Sequence, residues 1–365
     1  MKNEVIISQE LGQDIAEAIV RCPHDHLFVL TDTTTLRLCW PLVKDLPCLA
    51  SARMITIGDT DANKTLDSLA HVWTSLQEGG ATRHSLLLNL GGGMVTDLGG
   101  FAASTFKRGI AFINIPTTLL SQVDASVGGK TGINFGGLKN EIGVFNNAAS
   151  VIISSEFLRS LNTKNLLSGY AEMLKHGLLS SEEHWAELLR FDLTSIDHSA
   201  KPEVSSERNN AQWQQLGALV AKSVGIKENI VEQDPTEKGL RKALNLGHTA
   251  GHAIESLALE QGQPVLHGYA VAWGLVCELF LSVAKCGFPK DKLRKTVQFI
   301  RQDYGDVGFD CKHYEHLYEL MKHDKKNEAD NINFTLLADI GDIRINQKAS
   351  KEEIFEMLDF LTFKT

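Results

Sequence analysis

The sequence predicts an α/β domain followed by a domain made almost entirely of helices. In the first 160 residues, short and nearly continuous apolar segments alternate with helical patterns, as in parallel sheets that helices cover on both faces. Beyond about Asn162, nearly all apolar residues recur with the helical period. The 365 residues also exceed what one hydrophobic core usually serves. We therefore predict an α/β domain at residues 1–160 and a helical domain at residues 161–365.

The first domain is predicted to alternate strands with helices, and the second to consist of helices. Buried strands are expected at residues 5–8, 26–31, 53–57, 85–89, 110–115 and 151–153, and helices at 12–20 and 64–77. In the second domain, helices are expected at residues 166–179, 184–190, 212–231, 243–259, 269–284, 290–304, 314–323 and 351–361, with an isolated strand at 333–338. Ligands of parallel α/β sheets lie at the carboxyl ends of the strands.

Two glycine-rich segments follow predicted strands of the first domain. The first contains Gly91, Gly92 and Gly93 and leads into a helix. Glycines let a phosphate approach the backbone, and a helix N-terminus supplies free N–H groups. The spacing differs from G-x-G-x-x-G, so by itself it is a weak dinucleotide signal, with a tight turn as the alternative. The second segment, residues 117–140, mixes hydroxyls, glycines, an aspartate and two lysines with apolar residues, which favours a functional loop over disorder.

The helical domain contains a candidate metal site. His248 and His252 are four residues apart in a helical pattern, so both imidazoles share one face. Glu172 lies upstream and His267 downstream. Two or three imidazoles and a carboxylate from different helices suit a catalytic Zn²⁺ with an open position. The alternative is that the histidines are ordinary polar helix residues.

The composition is that of a soluble globular protein and excludes some classes of partner. With 43% apolar residues and a net charge of −9, the chain is not expected to bind nucleic acid or an anionic membrane. Six cysteines without a C-x-x-C pair predict reduced thiols. No signal peptide is expected, and the most apolar stretch, residues 270–284, contains Glu278 and is too short to span a bilayer. We expect a cytoplasmic protein that acts on a small molecule.

These motifs resemble the 3-dehydroquinate synthase family of the sugar-phosphate cyclase superfamily. The resemblance runs from about residue 59 to residue 337, and it is carried by GGGMVTDLGGF, IPTTLLSQVDASVGGKTGIN, LKNEIGVF, GYAEMLKHGLL, GLRKALNLGHTAGHAIES and LHGYAV. It implies a Rossmann-like NAD⁺-binding domain, a helical metal-binding domain, a divalent metal (Zn²⁺ or Co²⁺) and a homodimer. One departure from the family motif is Tyr269, which stands where the family has a glutamate after the last ligand, and such neighbouring groups often tune metal affinity.

The resemblance assigns the metal and the substrate to separate residues. Its metal ligands are Glu172, His248 and His267, which makes His252 a substrate-side group, although spacing alone offers His252 as a ligand. The implied substrate residues carry mostly cationic or amide side chains: Arg108, Lys130, Asn140, Lys175, Lys227, Arg241, Asn245, His252, Lys325 and Lys326. Among them, Arg108, Asn140, His252 and the Lys325–Lys326 pair are expected to hold a phosphate, and Lys227 and Arg241 a carboxylate. Lys175 and His252 are expected to orient hydroxyls and relay protons.

For the cofactor, the resemblance implies a longer set of residues. They are Asp32, Asp59, Asp61, Lys64, Gly91, Gly92, Gly93, Asp97, Thr117, Thr118, Asp124, Lys130, Lys139 and Leu158. Asp61 stands where the family has a glutamate. A carboxylate that accepts from the ribose hydroxyls disfavours a 2′-phosphate, so NAD⁺ rather than NADP⁺ is expected.

The implied reaction converts 3-deoxy-D-arabino-heptulosonate 7-phosphate to 3-dehydroquinate and phosphate. Oxidation of a hydroxyl acidifies the neighbouring C–H, and β-elimination, reduction, ring opening and aldol closure follow. The nearest alternative is another sugar-phosphate cyclase, whose substrate lacks the carboxylate that Lys227 and Arg241 would bind. A metal-dependent polyol dehydrogenase and a non-catalytic nucleotide-binding protein are two more distant candidates.

Overall fold

The computed structural model describes residues 4–198, 206–322 and 332–363. The chain divides into two compact units. The first contains Met1–Asn162 and Asp197–Val224, and the second contains Thr163–Ile196 and Gly225–Thr365. Lys325 and Lys326 lie outside the described residues.

The first unit is built on a parallel sheet. Its strands are β1 (Glu4–Ile7), β2 (Leu27–Asp32), β3 (Arg53–Ile57), β4 (Leu86–Gly91), β5 (Ala111–Pro116), β6 (Lys130–Phe135), β7 (Leu138–Phe145) and β8 (Ser150–Ile153). Six of them pair in parallel in the order β1-β8-β5-β4-β2-β3, while β6 and β7 form a separate antiparallel hairpin. The six predicted strands are confirmed to within two residues at each end. Strands β2, β4, β5 and β8 are buried along nearly their whole length, as their apolar sequences predict, whereas β1 and β3 at the edges of the sheet are partly exposed.

The helices of this unit are α1 (Leu11–Arg21), α2 (Thr33–Leu38), α3 (Leu66–Glu78), α4 (Gly93–Thr105) and most of α7 (Glu207–Gln233). Helix α4 packs closely because two glycines face its neighbours. A Cβ on Gly99 would lie 2.0 Å from the Asn89 side-chain oxygen on β4, and one on Gly100 would lie 2.5 Å from Thr131 on β6. Gly99 and Gly100, the last two glycines of the GGGMVTDLGGF motif, therefore allow this helix to pack closely.

The segment at 117–140 contains more regular structure than a loop. It begins with a π-helix, Ser121–Ala125, and continues into the β6–β7 hairpin. The hairpin turns at Gly136 and Gly137, whose φ values of 61° and 81° favour glycine. All eight residues of β7 are exposed, so no buried–exposed alternation marks the strand in the sequence.

The second unit is mostly helical. Its helices are α5 (Thr163–Ser180), α6 (Glu182–Arg190), the end of α7 (Glu207–Gln233), α8 (His248–Glu260), α9 (His267–Cys286), α10 (Lys290–Tyr304), α11 (Tyr314–Lys322) and α12 (Lys351–Thr362). The strand expected at residues 333–338 is not isolated, because β9 (Asn333–Asp339) pairs with β10 (Asp342–Lys348). The helix expected at 243–259 is confirmed from residue 248 onward but is wrong at its start. Gly247 has a φ of 79°, which separates a 3-10 helix, Leu240–Asn245, from α8.

The predicted boundary at residue 160 places residues 197–224 in the second domain, whereas the structure groups them with the first unit. They belong to the first unit although they follow helices of the second in the chain. Within the first unit, Trp213 on α7 lies under the Arg159 guanidinium at 4.9 Å and meets His198 edge-on at 5.6 Å. The periodicity of a helix identifies its buried face but not the domain that covers it.

Helix α9 is the one helix in the described ranges that is long and apolar enough to cross a membrane. Within the structure, 67% of its apolar window is buried, as in the core helices of soluble proteins.

Candidate functional site

Glu172, His248 and His267 form a compact group in the second unit that could hold a metal ion, and they are called the ligand set below. Glu172 Oε1 lies 3.4 Å from His248 Nε2 and 3.5 Å from His267 Nε2. Two atoms that bind one tetrahedral metal ion at about 2.1 Å are about 3.4 Å apart, so these separations fit a single ion. A carboxylate and two imidazoles also match the ligand preferences of Zn²⁺ and similar divalent metals.

Each ligand comes from a different helix, and glycines bring these helices together. His267 is the first residue of α9, and the next residue, Gly268, lies against α5, where a Cβ would be 1.8 Å from Ser168 O. Gly274 lies against the start of α8, where a Cβ would be 1.9 Å from Gly247 O. Backbone contacts therefore set the spacing of α5, α8 and α9 that the ligand set requires.

The outer nitrogen of each ligand imidazole is held in place. His267 Nδ1 is hydrogen-bonded to Glu255 Oε2 at 3.0 Å, and His248 Nδ1 to Leu246 O at 3.1 Å. A carboxylate or carbonyl in this position orients the ring and leaves the lone pair on Nε2, the nitrogen that faces Glu172. The ligand set thus comes with the outer partners that metal-binding histidines usually have.

A buried carboxylate, Glu278 on α9, caps the N-terminus of α8. Its Oε2 accepts from the backbone N–H of Gly247 at 2.8 Å, and its Oε1 accepts from that of Thr249 at 3.0 Å. Negative charge at a helix N-terminus is stabilised by the unpaired N–H groups and the helix dipole. Because His248 is the first residue of α8, this cap also holds a metal ligand.

The pKa shifts of Glu172 and His267 both favour the charged forms of these side chains. Burial raises the pKa of the Glu172 carboxyl, but Lys175, which forms a buried salt bridge with it, and His248 outweigh burial and hold that pKa well below its usual range. Burial lowers the pKa of His267, but Glu255 and Glu172 outweigh burial and raise that pKa to about 10. The same carboxylates favour a divalent cation.

The His252 ring lies next to the ligand set, whereas the Tyr269 ring contacts other aromatic side chains. The His252 ring centroid is 5.3 Å from that of His248 and 5.9 Å from that of His267. The structure therefore groups His248 with Glu172 and His267 and leaves His252 beside them. The Tyr269 ring packs edge-on against Tyr304 at 5.1 Å, and the carboxylate on the His267 ring comes from Glu255 instead.

Three other predicted substrate residues of this unit are Lys227, Arg241 and Asn245, of which the two cations are buried. Lys227 and Arg241 are only 5% and 2% exposed. Arg241 Nη1 donates to Pro235 O at 2.7 Å, and Asn245 Nδ2 donates to Glu237 Oε1 at 3.1 Å. Burying two cations is costly unless anions or hydrogen bonds compensate, which fits a role in binding an anionic group.

In the first unit, predicted cofactor residues gather at the carboxyl ends of β2, β4 and β5. In the sheet, the chain passes from β2 to its neighbour β3 on one side, and from β4 to its neighbour β5 on the opposite side. The direction in which strands are added therefore reverses between β2 and β4, which is where ligands of such sheets bind. Asp32 ends β2, and Gly91–Gly93 join β4 to α4. The N–H of Thr117 donates to Gly91 O at 2.9 Å, and a Cβ on Gly92 would lie 3.1 Å from Thr118 Cγ2. This turn and the N-terminus of α4 fit a dinucleotide pyrophosphate.

A second group of predicted residues surrounds the buried Lys64. Its Nζ donates to Asp97 Oδ2 at 2.6 Å and to Asn140 Oδ1. Asp61 Oδ2 lies 3.6 Å from Lys139 Nζ. The structure thus links Asn140, predicted to bind substrate, with residues predicted to bind the cofactor.

The remaining predicted residues of this unit have separate settings. Arg108 has a φ of 71° in a run of three left-handed residues, 107–109, a strained conformation of the kind found at functional sites. Asp124 lies in the π-helix, and Lys130 begins β6. Leu158 is fully buried. Asp59 accepts from a threonine hydroxyl at 2.8 Å.

Glu255 and Glu278 are functional candidates that the sequence reasoning did not identify. Glu255 follows His252 by three residues on the same helical face, which is a signal for a shared site. Glu278 is a single charge within the most apolar stretch of the chain, and such a charge is rarely buried without a partner.

Comparisons with known proteins agree with these motifs. Two family models, described as 3-dehydroquinate synthase N-terminal and 3-dehydroquinate synthase C-terminal, match residues 54–168 and 169–327. A curated 3-dehydroquinate synthase from Parabacteroides distasonis is 52% identical over 359 residues, which cover 98% of each chain.

Two solved structures share the fold at lower identity. A 2-epi-5-epi-valiolone synthase from Streptomyces hygroscopicus with NAD⁺ and Zn²⁺ bound has a TM-score of 0.84 at 23% identity, over 99% of this chain and 97% of that one. A 2-deoxy-scyllo-inosose synthase complexed with carbaglucose-6-phosphate, NAD⁺ and Co²⁺ has a TM-score of 0.78 at 20% identity, over 98% and 95%.

Proposed function

The chain belongs to the 3-dehydroquinate synthase family, and we propose that it converts 3-deoxy-D-arabino-heptulosonate 7-phosphate to 3-dehydroquinate and phosphate. This reaction is a step of the shikimate pathway toward aromatic amino acids. The observation that carries the proposal is the Glu172–His248–His267 set, whose separations fit one divalent metal in a chain 52% identical to a curated synthase.

Glu172, His248 and His267 would hold Zn²⁺ or Co²⁺, with Glu255 orienting the His267 ring. A bound metal would supply polarisation of the reacting oxygens, and bound NAD⁺ would supply reversible hydride transfer. Lys175 lies in a buried salt bridge with Glu172, which supports its role in holding a substrate hydroxyl at the edge of the metal site.

His252 is proposed to exchange protons with the substrate. Its ring lies within 6 Å of both ligand imidazoles, measured between centroids, yet it is not one of the three convergent ligands. An imidazole within reach of the reacting atoms can act as a general acid or base.

Buried Lys227 and Arg241 favour a substrate with a carboxylate. Without a bound anion, protein groups alone must offset the desolvation free energy that these two buried cations cost. Sedoheptulose 7-phosphate and glucose 6-phosphate, the substrates of other sugar-phosphate cyclases, lack this carboxylate. We therefore assign Lys227 and Arg241, with Asn245 nearby in the chain, to the carboxylate end of the substrate. The phosphate end is assigned to Arg108 and Asn140.

NAD⁺ is proposed to bind the first unit at the carboxyl ends of the strands. Gly91–Gly93 and the start of α4 would take the pyrophosphate, and Asp32, Asp59 and Asp61 would take the ribose hydroxyls. The buried Lys64–Asp97 pair and the hydroxyls of Thr117 and Thr118 would complete the nicotinamide side. Asp124, Lys130, Lys139 and Leu158 are proposed on the family assignment alone.

We also propose a cytoplasmic homodimer without a nucleic-acid or membrane partner. The exposed β7 strand supports the dimer, because Leu138, Ile142, Val144 and Phe145 are each between 38% and 58% exposed. An edge strand with exposed apolar side chains is prone to pair with another chain. If β7 forms the dimer interface, Ile142→Lys will convert the dimer to a monomer in light scattering, and an unchanged mass would reject this interface.

The function is tested by phosphate release from 3-deoxy-D-arabino-heptulosonate 7-phosphate with catalytic NAD⁺ and Zn²⁺, while absorbance at the NADH band is followed. We expect phosphate without accumulation of NADH, loss of activity with a chelator, and loss in His248→Ala but not in the control variant His84→Ala, which replaces an exposed histidine. Turnover of sedoheptulose 7-phosphate instead would indicate another cyclase. Steady NADH formation from a polyol would indicate a dehydrogenase.

A further inference from the structure

Asn134 on β6 connects two segments with different proposed roles, the cofactor-side turn Asp61–Lys64 and the substrate-side residue Asn140. Its backbone N–H donates to Lys64 O at 2.9 Å, and its Nδ2 donates to Asp61 O at 3.2 Å. Its Oδ1 accepts from the backbone N–H of Asn140 at 2.9 Å. One amide side chain therefore acts as donor toward one segment and as acceptor toward the other.

The β6–β7 pairing is irregular next to Asn134. It is in register from Lys130 to Ile133, where Ile133 pairs with Ile142, but Phe135 pairs with Leu138. One residue of β6, Asn134, therefore lies opposite residues 139–141 of β7, so the extra residues of the bulge are on β7. A bulge leaves its extra residues outside the regular ladder, and Asn140 is among them.

Lys64 also contacts Asn140, through its side chain. Its buried ammonium donates to Asn140 Oδ1 and to Asp97 on α4. Asn140 has a φ of 51°, a conformation that costs free energy unless neighbouring contacts hold it. Asn134 and Lys64 supply two of these contacts, one to the backbone and one to the side chain.

We propose that Asn134 is a positioning residue, which holds the turn Asp61–Lys64 and Asn140 in the one arrangement that binds both the dinucleotide and the sugar phosphate. Nothing in the family motifs assigned this asparagine a role. The substrate half of the inference rests on the proposed function, whereas the cofactor half is measured by NADH binding alone.

The test compares Asn134→Ala with Asn134→Asp. The alanine variant loses the side-chain donor and acceptor, so we expect the Kd for NADH and the KM for the sugar phosphate each to rise about tenfold, with kcat changed less than about threefold. The aspartate variant keeps an acceptor for Asn140 but loses the donor and adds a carboxylate near Asp61. It is expected to weaken NADH binding while KM stays within about twofold of the parent value.

Asn146→Ala is the matched control. Asn146 lies next to the end of the same hairpin, and its side chain also makes a hydrogen bond, to Ser104 Oγ at 2.8 Å. A purely structural role predicts that both alanine variants lower the melting temperature and leave Kd and KM unchanged, which would overturn the proposal. An aspartate variant that raises Kd and KM as much as the alanine variant would also overturn it. If the parent protein does not turn over the sugar phosphate, the proposed function fails, and NADH binding still decides the cofactor half.

Discussion

Replacing Gly268 with alanine is expected to separate α9 from α5 and to weaken metal binding. The new Cβ would lie 1.8 Å from Ser168 O, and Cβ atoms essentially never approach another heavy atom within 3.0 Å. The two backbones must therefore move apart by about 1.2 Å. The hydrogen bond from Gly268 N to Ser168 Oγ, now 3.1 Å, lengthens with this movement.

The displacement reaches the metal site directly, because His267 precedes Gly268. If His267 moves with the start of α9, the 3.5 Å separation between its Nε2 and Glu172 Oε1 grows to about 4.7 Å. Ligands of one tetrahedral ion are about 3.4 Å apart, so one metal–ligand bond is stretched or lost. We expect metal affinity to fall by about 10- to 100-fold, or about 1.4–2.7 kcal/mol. The apo protein should lose about 1–3 kcal/mol of stability from overpacking.

The assay is competition for Zn²⁺ between the apo protein and a fluorescent chelator, together with thermal unfolding of the apo protein. Gly225→Ala is the control, because Gly225 is an exposed helical glycine and a Cβ added there would have no heavy atom within 4 Å. It should bind Zn²⁺ as the parent does and be slightly more stable, since alanine favours helix. Ser168→Ala removes only the hydrogen bond and should cause a milder loss. Parent-like Zn²⁺ affinity in Gly268→Ala would refute the argument.

Three further predictions concern the metal, the α8 cap and acid stability. Zn²⁺ at 100 times its Kd should stabilise the chelator-treated protein by about 2.7 kcal/mol, and identical melting curves with and without Zn²⁺ would contradict this. Glu278→Gln should cost about 1–3 kcal/mol in urea unfolding and weaken Zn²⁺ binding, because an amide nitrogen cannot accept the N–H that one carboxylate oxygen now accepts. An unchanged unfolding midpoint would argue against this cap. The Thr82 hydroxyl, with Ser85 and the backbone, lowers the pKa of Asp25 from 3.8 to about 2. Asp25 therefore stabilises the folded state above about pH 3.8 and loses this effect as the pH falls toward 2, so the stability difference between the parent and Asp25→Asn should shrink over this range. A constant difference would contradict the assignment.

The sequence predicts the sheet of the first unit well but not the hairpin beside it. Strands β2 and β4 are continuous apolar runs that are buried along their whole length, so their composition alone identifies them. Strand β7 is exposed at all eight positions, and its sequence therefore has neither a buried run nor an alternation. Its presence depends on pairing with β6, which is a tertiary contact.

The metal site shows the same limit. The four-residue spacing of His248 and His252 correctly indicates one face of a helix, but it does not identify which imidazoles converge. Convergence depends on where α8 begins, at the left-handed Gly247, and on how closely α9 approaches α5 at Gly268. These are contacts between distant segments, so periodicity could not predict that Glu172, His248 and His267 lie together, whereas the motif resemblance had grouped them.

The glycine contacts among α5, α8 and α9 have a consequence for engineering. The ligand helices are held by main-chain contacts at Gly268 and Gly274, away from the side chains that would face a substrate. Positions proposed to contact the carboxylate end of the substrate, such as Lys227 and Asn245, can then be randomised in a library while the metal geometry is retained. If positions 268 and 274 are also randomised, we expect nearly all active variants to keep glycine there. Changes in substrate specificity should therefore come from residues that contact the substrate and not from the glycines that set the helix spacing.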